Sequence, residues 1–279
     1  MGTDRIIVTA ATGNIGRPLV KALQYKDMNF EAATRDTDRA REQLGRSLDT
    51  VYLDYEEPSG FNDALSGNDL LFLCGPSATP NAAELVKPMV DAAENQGISH
   101  IVFIASHPTI VDSIQESGID YTFIKTNFFM QNFELYQTEE IRERKRIFLP
   151  CGRGKAAFIR TRDIGEVAGE ILADPAAYRN ETVDLTGPQA IDLYDAAAIF
   201  SEVMDCKIKY ANPDNEEYRK DRKERGFADE YIDAMISVFG KIKKGDAAEM
   251  SPAVEQILDR KPLSLNKYVE EQKALFQSV

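Results

Sequence analysis

"RIIVTAATGNIGRPLVKAL", residues 5–23, joins an apolar run to a helix-like pattern across a turn of small residues. Arg5 to Ala10 reads as a strand, and the segment from Gly16 as a helix. Gly13 and Gly16 sit at the start of that helix, straight after the strand. A glycine there lets the backbone come close to a bound pyrophosphate, and a second allows tight helix–strand packing. The N–H groups of the helix start then face an anion. The plainer alternative is a tight β–α turn that binds nothing. The surrounding sequence weighs between the two.

Short apolar runs and helix-period segments alternate over the first half of the chain. Residues 5–10, 30–34, 50–54, 69–74, 100–105 and 121–125 read as strands. Between them "GRPLVKALQY", "TDRAREQLG", "SGFNDALSG", "NAAELVKPMVDAAENQG" and "VDSIQESG" read as helices, several of them ending in glycine. Strands that are apolar throughout suit a sheet buried on both faces, which means a parallel sheet. The pattern predicts an α/β protein: a Rossmann-like doubly wound parallel sheet with a smaller, mostly helical C-terminal lobe. The expected division is a dinucleotide-binding core over residues 1–150 and a mixed part over 151–279. Strands near 156–162 and 182–186 are expected to join the core sheet. "NFFMQNFELY" (127–136) reads as a helix, and "KIKYAN" as a short strand.

Composition narrows the functional classes. The chain has 279 residues and a formal net charge of −13, which repels phosphates over most of the surface and argues against a nucleic-acid groove. Cys74, Cys151 and Cys206 are far apart, so neither a disulfide framework nor a zinc site is suggested. His100 and His107 are the only histidines, which disfavours a histidine-based metal centre. "MGTDRIIV" lacks a signal-peptide core, and no apolar run approaches the ~18 residues of a membrane span. The expectation is a cytoplasmic protein, monomeric or homodimeric, that binds small molecules and neither membrane nor nucleic acid.

Ala10, Gly13 and Gly16 form Ala-x-x-Gly-x-x-Gly, which resembles the Gly-x-x-Gly-x-x-Gly loop of the short-chain dehydrogenase superfamily with alanine at the first position. "SGIDYTFIKTNFFMQNF" (117–133), "AAFIRTRDIGEVAGEILADP" and "ETVDLTGPQAI" resemble, in order and spacing, segments of one atypical branch, the NmrA-like NAD(P)-binding proteins. The resemblance covers nearly the whole chain. It implies a Rossmann-type domain with a small lobe. It also implies either an NAD(P)H-dependent reductase of quinones, dyes or small alkenes, or a regulator that binds the dinucleotide without turning it over.

The residues expected to hold the dinucleotide follow the strand ends. Thr12, Gly13, Asn14 and Ile15 surround the helix start. A carboxylate ending the second strand would bind a ribose 2′-hydroxyl and repel a 2′-phosphate. Here Arg35 arrives before Asp36, and a guanidinium clamps phosphate well. Arg17 adds a second positive charge nearby. NADP(H) is therefore the expected cofactor, and Asp36 keeps NAD(H) possible. Asp54 and Tyr55 lie where adenine would be, though Tyr55 also reads as a core cap. Gly75, Pro76 and Ser77 follow the fourth strand, where a loop of small residues lies along ribose and nicotinamide. Ser106 follows the fifth strand, and Thr126, Asn127 and Phe128 follow the sixth. Phe128 reads either as an apolar wall beside the nicotinamide or as a core residue.

The broader superfamily carries a Tyr-x-x-x-Lys motif on a helix, its tyrosine transferring the substrate proton; no such helix follows the fifth strand, where "HPTIVDSIQESG" has neither tyrosine nor lysine. The resemblance puts His107 where the superfamily's lysine lies and implies a longer loop than residues 105–108 supply. Three roles stand open for His107: a hydrogen bond to ribose or nicotinamide, a proton donor, or a cap for the helix that begins near Pro108. The expected function is hydride transfer from NAD(P)H to a small apolar or aromatic acceptor such as a quinone or dye. The alternative is a non-catalytic NAD(P)-sensing regulator. A sugar-nucleotide epimerase is disfavoured by the lack of a Tyr-x-x-x-Lys helix after the fifth strand.

Overall fold

The structure is a computed structural model that describes residues 4–76, 81–105, 107–126 and 128–277. Ser77, Ser106 and Asn127 lie outside the described residues.

Six short runs form consecutive parallel strands: β1 (Ile6–Val8), β2 (Phe30–Thr34), β3 (Thr50–Tyr52), β4 (Leu70–Leu73), β5 (His100–Ile104) and β6 (Asp120–Thr126). The helices between them are α1 (Gly16–Tyr25), α2 (Thr37–Leu44), α3 (Phe61–Leu65), α4 (Ala82–Gln96) and α5 (Pro108–Ser117). Every residue of β1, β4 and β5 is buried, as strands covered on both faces require. The chain continues through α6 (Gln131–Arg142), β7 (Arg146–Ile147), α7 (Thr161–Ala173), β8 (Glu181–Leu185), α8 (Leu193–Met204), β9 (Lys209–Tyr210), α9 (Asn215–Glu224), α10 (Asp229–Lys244), α11 (Ala253–Leu258), α12 (Leu265–Glu271) and α13 (Lys273–Phe276). The main sheet has the order β3-β2-β1-β4-β5-β6-β8. Strand order reverses beside β1, and in open α/β sheets ligands bind at the strand C-termini at such a switch point.

The chain divides into two units, the first comprising residues 1–126, 161–184 and 256–259. One of its cores runs from Ile7 and Ala33 through Leu71, Phe103 and Phe123, packed by Phe61, Met89, Val90 and Ile114 of the helices. α1 and α7 touch closely enough that a methyl group on Gly165 would stand 2.6 Å from Pro18 Cβ. Lys26 and Glu170 close that contact with a 2.8 Å ion pair.

The second unit comprises residues 127–160, 185–255 and 260–279. Its core gathers Phe133, Phe158, Phe200, Phe239, Tyr268 and Phe276. β7 and β9 form a small parallel pair, Arg146 opposite Lys209 and Ile147 opposite Tyr210. α8 and α9 each begin with a capping box, Asp192 with Asp195 and Asp214 with Glu217, which satisfies N–H groups at both helix starts.

Three expectations are corrected here. The segment 156–162 is no strand of the main sheet: Ala156 pairs antiparallel with Ile191 and Ile159 parallel with Phe129, as isolated bridges. The helix expected over 127–136 begins only at Gln131 and runs to Arg142. Ile159 is the reason, because its N–H donates to Phe128 O at 3.0 Å and its carbonyl accepts from Met130 N at 2.9 Å. The first unit ends at Thr126, not near 150, and takes the chain back for α7 and most of β8. The strand expected at 182–186 is β8, beside β6 in the main sheet.

Candidate functional site

β1 ends at Val8, and the loop to α1 is fixed from its first residue. Thr9 is fully buried. Its hydroxyl donates to Phe72 O at 3.0 Å and accepts from Cys74 N at 2.9 Å, tying the ends of β1 and β4 together at the switch point. The Tyr55 hydroxyl donates to Cys74 O at 3.0 Å. Burial raises the pKa of that phenol, and it pushes the Cys74 thiol up to about 11. Both groups therefore stay neutral at physiological pH and shape the loop rather than react. Sequence reading missed Thr9; a hydroxyl closing an apolar run was the available signal.

Ala10 adopts φ +49°, the left-handed conformation usually held by glycine. That is how the pattern tolerates alanine at its first position. The Ala10 carbonyl then accepts from Gly13 N at 2.8 Å. A Cβ on Gly16 would stand 2.2 Å from the same carbonyl oxygen and 2.8 Å from Ala11 Cα. Gly16 is thus the residue that lets the helix start lie against the loop. The Gly13 amide is consumed by the turn. The next three amides, of Asn14, Ile15 and Gly16, have no acceptor among the described residues.

The start of α1 is unlike those of α2, α8, α9 and α12, which carry side-chain caps from Asp36, Asp192, Asp214 and Ser264. α1 has no side-chain cap and no acidic residue in its first turn. Free N–H groups and an uncompensated dipole end favour an anion there.

The remaining candidates of the first unit lie along the same strand edge. Arg35 follows the last residue of β2 and is exposed, with no ion pair among the described residues. Asp36 is engaged otherwise: its carboxylate caps α2 by accepting from Arg39 N at 2.9 Å. Gly75 and Pro76 follow β4 and are half-buried, and Thr126 ends β6. β5 and α5 are separated by residues 105–107 alone. His107 is the N-cap residue of α5, yet its side chain makes no capping bond. Its Nδ1 is buried and has no hydrogen-bond partner among the described residues. A buried orphan nitrogen at a strand C-terminus is an unfilled polar position.

Phe128 departs from this group. It packs on Phe158 at 5.6 Å and Phe239 at 6.3 Å, among the aromatic residues of the second unit. Asp163 lies buried in the first turn of α7. Among the described residues no group of three or more His, Cys, Asp or Glu side chains is placed to hold a metal, and no helix is long and apolar enough to cross a membrane.

A parallel sheet with a reversal beside its first strand, a glycine-lined loop and an uncapped helix start defines a Rossmann-type doubly wound protein. Comparison with known proteins gives the particular group. The chain belongs to the NmrA-like family, whose model matches residues 105–271, and an NAD(P)H-binding family model matches residues 10–109. It is 29% identical over 285 residues to an NAD(P)H azoreductase of Xenophilus azovorans, covering 97% of this chain and 99% of that one. Its fold is similar to that of an NADPH-dependent quinone oxidoreductase of Escherichia coli solved with NADPH, with a TM-score of 0.88, 20% identity and coverage of 96% and 99%. A Citrobacter triphenylmethane reductase solved with NADP(H) is also similar, with a TM-score of 0.84, 20% identity and the same coverage, 96% and 99%.

Proposed function

We propose that this chain is an NADPH-dependent oxidoreductase that passes hydride to a small aromatic acceptor, a quinone or a dye. The observation that carries the reading is the row of acceptor-free amides at Asn14, Ile15 and Gly16, at the start of a helix without a cap or an acid. Those amides hold the pyrophosphate. Arg35 takes the 2′-phosphate, since the neighbouring carboxylate is occupied as a helix cap. Thr12, Gly75, Pro76 and Thr126 line the rest of the cofactor, with Ser77, Ser106 and Asn127 beside them in sequence. The reduced nicotinamide, when bound, supplies the hydride.

His107 meets the ribose or nicotinamide through its unpartnered ring nitrogen. Its failure to cap α5 argues against a purely structural role. α5 carries no tyrosine–lysine pair to deliver a proton, so a quinone or dye takes its proton from His107 or water. Positioning of the two reactants provides most of the acceleration. The azoreductase, quinone oxidoreductase and triphenylmethane reductase among the similar proteins support a reductase of planar aromatic acceptors.

The test is NADPH consumption in the presence of a panel of quinones and azo or triphenylmethane dyes. Turnover above the buffer rate supports the reductase. Tight NADPH binding with no acceptor reduced favours the sensing regulator, to which the lack of a Tyr-x-x-x-Lys pair on α5 also points.

A further inference from the structure

The loop after β4 is held at its first peptide by a side chain from the far edge of the sheet. Tyr55 stands three residues past β3, and β2 and β1 lie between β3 and β4 in the sheet order. Its hydroxyl reaches the residue that follows β4, donating to the Cys74 carbonyl at 3.0 Å. The ring has its own footing. It meets the buried Phe61 edge-on, with centres 6.2 Å apart, and packs against the core that contains Leu73 and Val86. Burial raises the pKa of the phenol, and a hydrogen bond with Thr9 opposes this without cancelling it. The hydroxyl therefore keeps its proton and remains a donor.

Both backbone groups of Cys74 are thereby engaged. Its amide donates to Thr9 Oγ1 at 2.9 Å, and the Thr9 hydroxyl donates in turn to Phe72 O at 3.0 Å. The Thr9 hydroxyl also lies 3.5 Å from the Cys74 carbonyl, at the outer limit of a hydrogen bond and with its proton already directed to Phe72. Among the described residues the Tyr55 hydroxyl is thus the close donor to that carbonyl. Gly75 has little freedom on its helix side: a methyl group there would stand 3.1 Å from Val86 Cγ2 of α4. The peptide from Cys74 to Gly75 is fixed between the phenol and the helix, and Gly75 and Pro76 leave the sheet from that fixed point.

We propose that Tyr55 is a positioning residue for the nicotinamide half of the dinucleotide: its hydroxyl sets the course of Gly75 and Pro76, and these two line the ribose and nicotinamide. The inference rests on the reading of that loop as part of the cofactor site. A loop already held in its binding course loses less freedom when the ligand arrives, and affinity rises accordingly. Tyr55→Phe removes a single oxygen and keeps the ring, so the packing on Phe61 stays and the Cys74 carbonyl loses its close donor. The effect is confined to one half of the ligand, because the helix start and Arg35 are held by other bonds.

Calorimetric titration of the full chain with NADPH and with adenosine 2′,5′-bisphosphate tests it without any turnover. The bisphosphate carries the adenosine and the 2′-phosphate but no nicotinamide. Tyr55→Phe should weaken NADPH by about fivefold or more and leave the bisphosphate within about twofold. A merely structural role for Tyr55 would weaken both ligands alike. Amide hydrogen exchange of the ligand-free protein gives a second readout: the segment Phe72–Pro76 should exchange faster in the variant. NADPH affinity unchanged in Tyr55→Phe, equal losses for the two ligands, or unchanged exchange at Phe72–Pro76 would each overturn the role of Tyr55. Binding of neither ligand by the unaltered protein overturns the dinucleotide reading, and the affinity claim with it. Binding of both, with no difference in the variant, overturns the Tyr55 role alone.

Discussion

A methyl group on Gly16 would stand 2.2 Å from the carbonyl oxygen of Ala10, while one on Gly13 would stand 3.0 Å from that same oxygen. Both obstacles are backbone, but they differ in severity. Gly16→Ala must move the helix start or the loop, and is expected to cost several kcal/mol, on the order of 2–4. Gly13→Ala asks for a few tenths of an ångström and should cost about 1 kcal/mol or less. Melting temperatures of the two variants check the order.

Ala10 holds a left-handed conformation at φ +49°. That geometry costs an L-residue roughly 1–2 kcal/mol, and glycine gives back part of the gain through its freer unfolded chain. Ala10→Gly is therefore expected to stabilise the protein by about 0.5–1 kcal/mol. It should leave dinucleotide affinity within about twofold, since the Ala10 carbonyl that anchors Gly13 is kept. Denaturant midpoints at equal slope measure the first, and a binding titration the second.

Arg35→Ala should weaken NADPH by about tenfold or more and NADH by far less. The exposed guanidinium has no ion pair to lose among the described residues, so the change acts on the ligand and spares the fold. Equal losses for both cofactors would remove Arg35 from the phosphate.

His107→Ala should lower NADPH affinity or the turnover rate while leaving the melting temperature nearly unchanged. The side chain makes no capping bond whose loss would destabilise α5. A lowered melting temperature with unaltered binding and rate would return His107 to a structural role.

His100 supplies the pH dependence. Thr122 Oγ1 donates to Tyr178 O at 2.9 Å, so it accepts from His100 Nε2 at 2.8 Å and fixes the neutral Nε2–H tautomer. Burial lowers the His100 pKa from 6.5 to about 4; Asp120 opposes that shift and Arg179 adds to it. The folded state thus binds the proton less well than the unfolded chain. The stability from neutral His100 is complete above pH 6.5 and is lost as the pH falls toward 4. At pH 5 the loss should be about 2 kcal/mol. Urea midpoints at pH 7 and pH 5, for the natural protein and His100→Gln, check it: the pH 5 deficit should shrink in the variant.

The sequence made α1 and the first strand–turn–helix legible because their signals are local. An apolar run, small turn residues and helical periodicity fall within about twenty residues, and α1 runs over Gly16–Tyr25 as the pattern predicts. The parallel order was legible for the same reason, from runs apolar on both faces. The segment 156–162 was not, because its pairing is set by Phe129 and Ile191, residues distant in sequence. A strand propensity does not say which strand it meets. Phe128 was open between ligand wall and core, and its contacts with Phe158 and Phe239 depend on the fold of the whole second unit. The candidate site was legible as a set of strand-end loops. What the sequence could not tell was which amides remain free, since the turn from Ala10 takes the Gly13 N–H and leaves those of the next three residues.

The most direct measurement is a titration of the protein with NADPH, NADP⁺, NADH and NAD⁺, repeated with Asn14→Pro, which deletes one of the three acceptor-free amides. The account predicts saturable binding with the phosphorylated pair tightest, weakened at least about tenfold in the variant at an unchanged far-ultraviolet spectrum. No saturable signal with any of the four, or equal affinity in the variant, would contradict a pyrophosphate held by the amides of Asn14, Ile15 and Gly16.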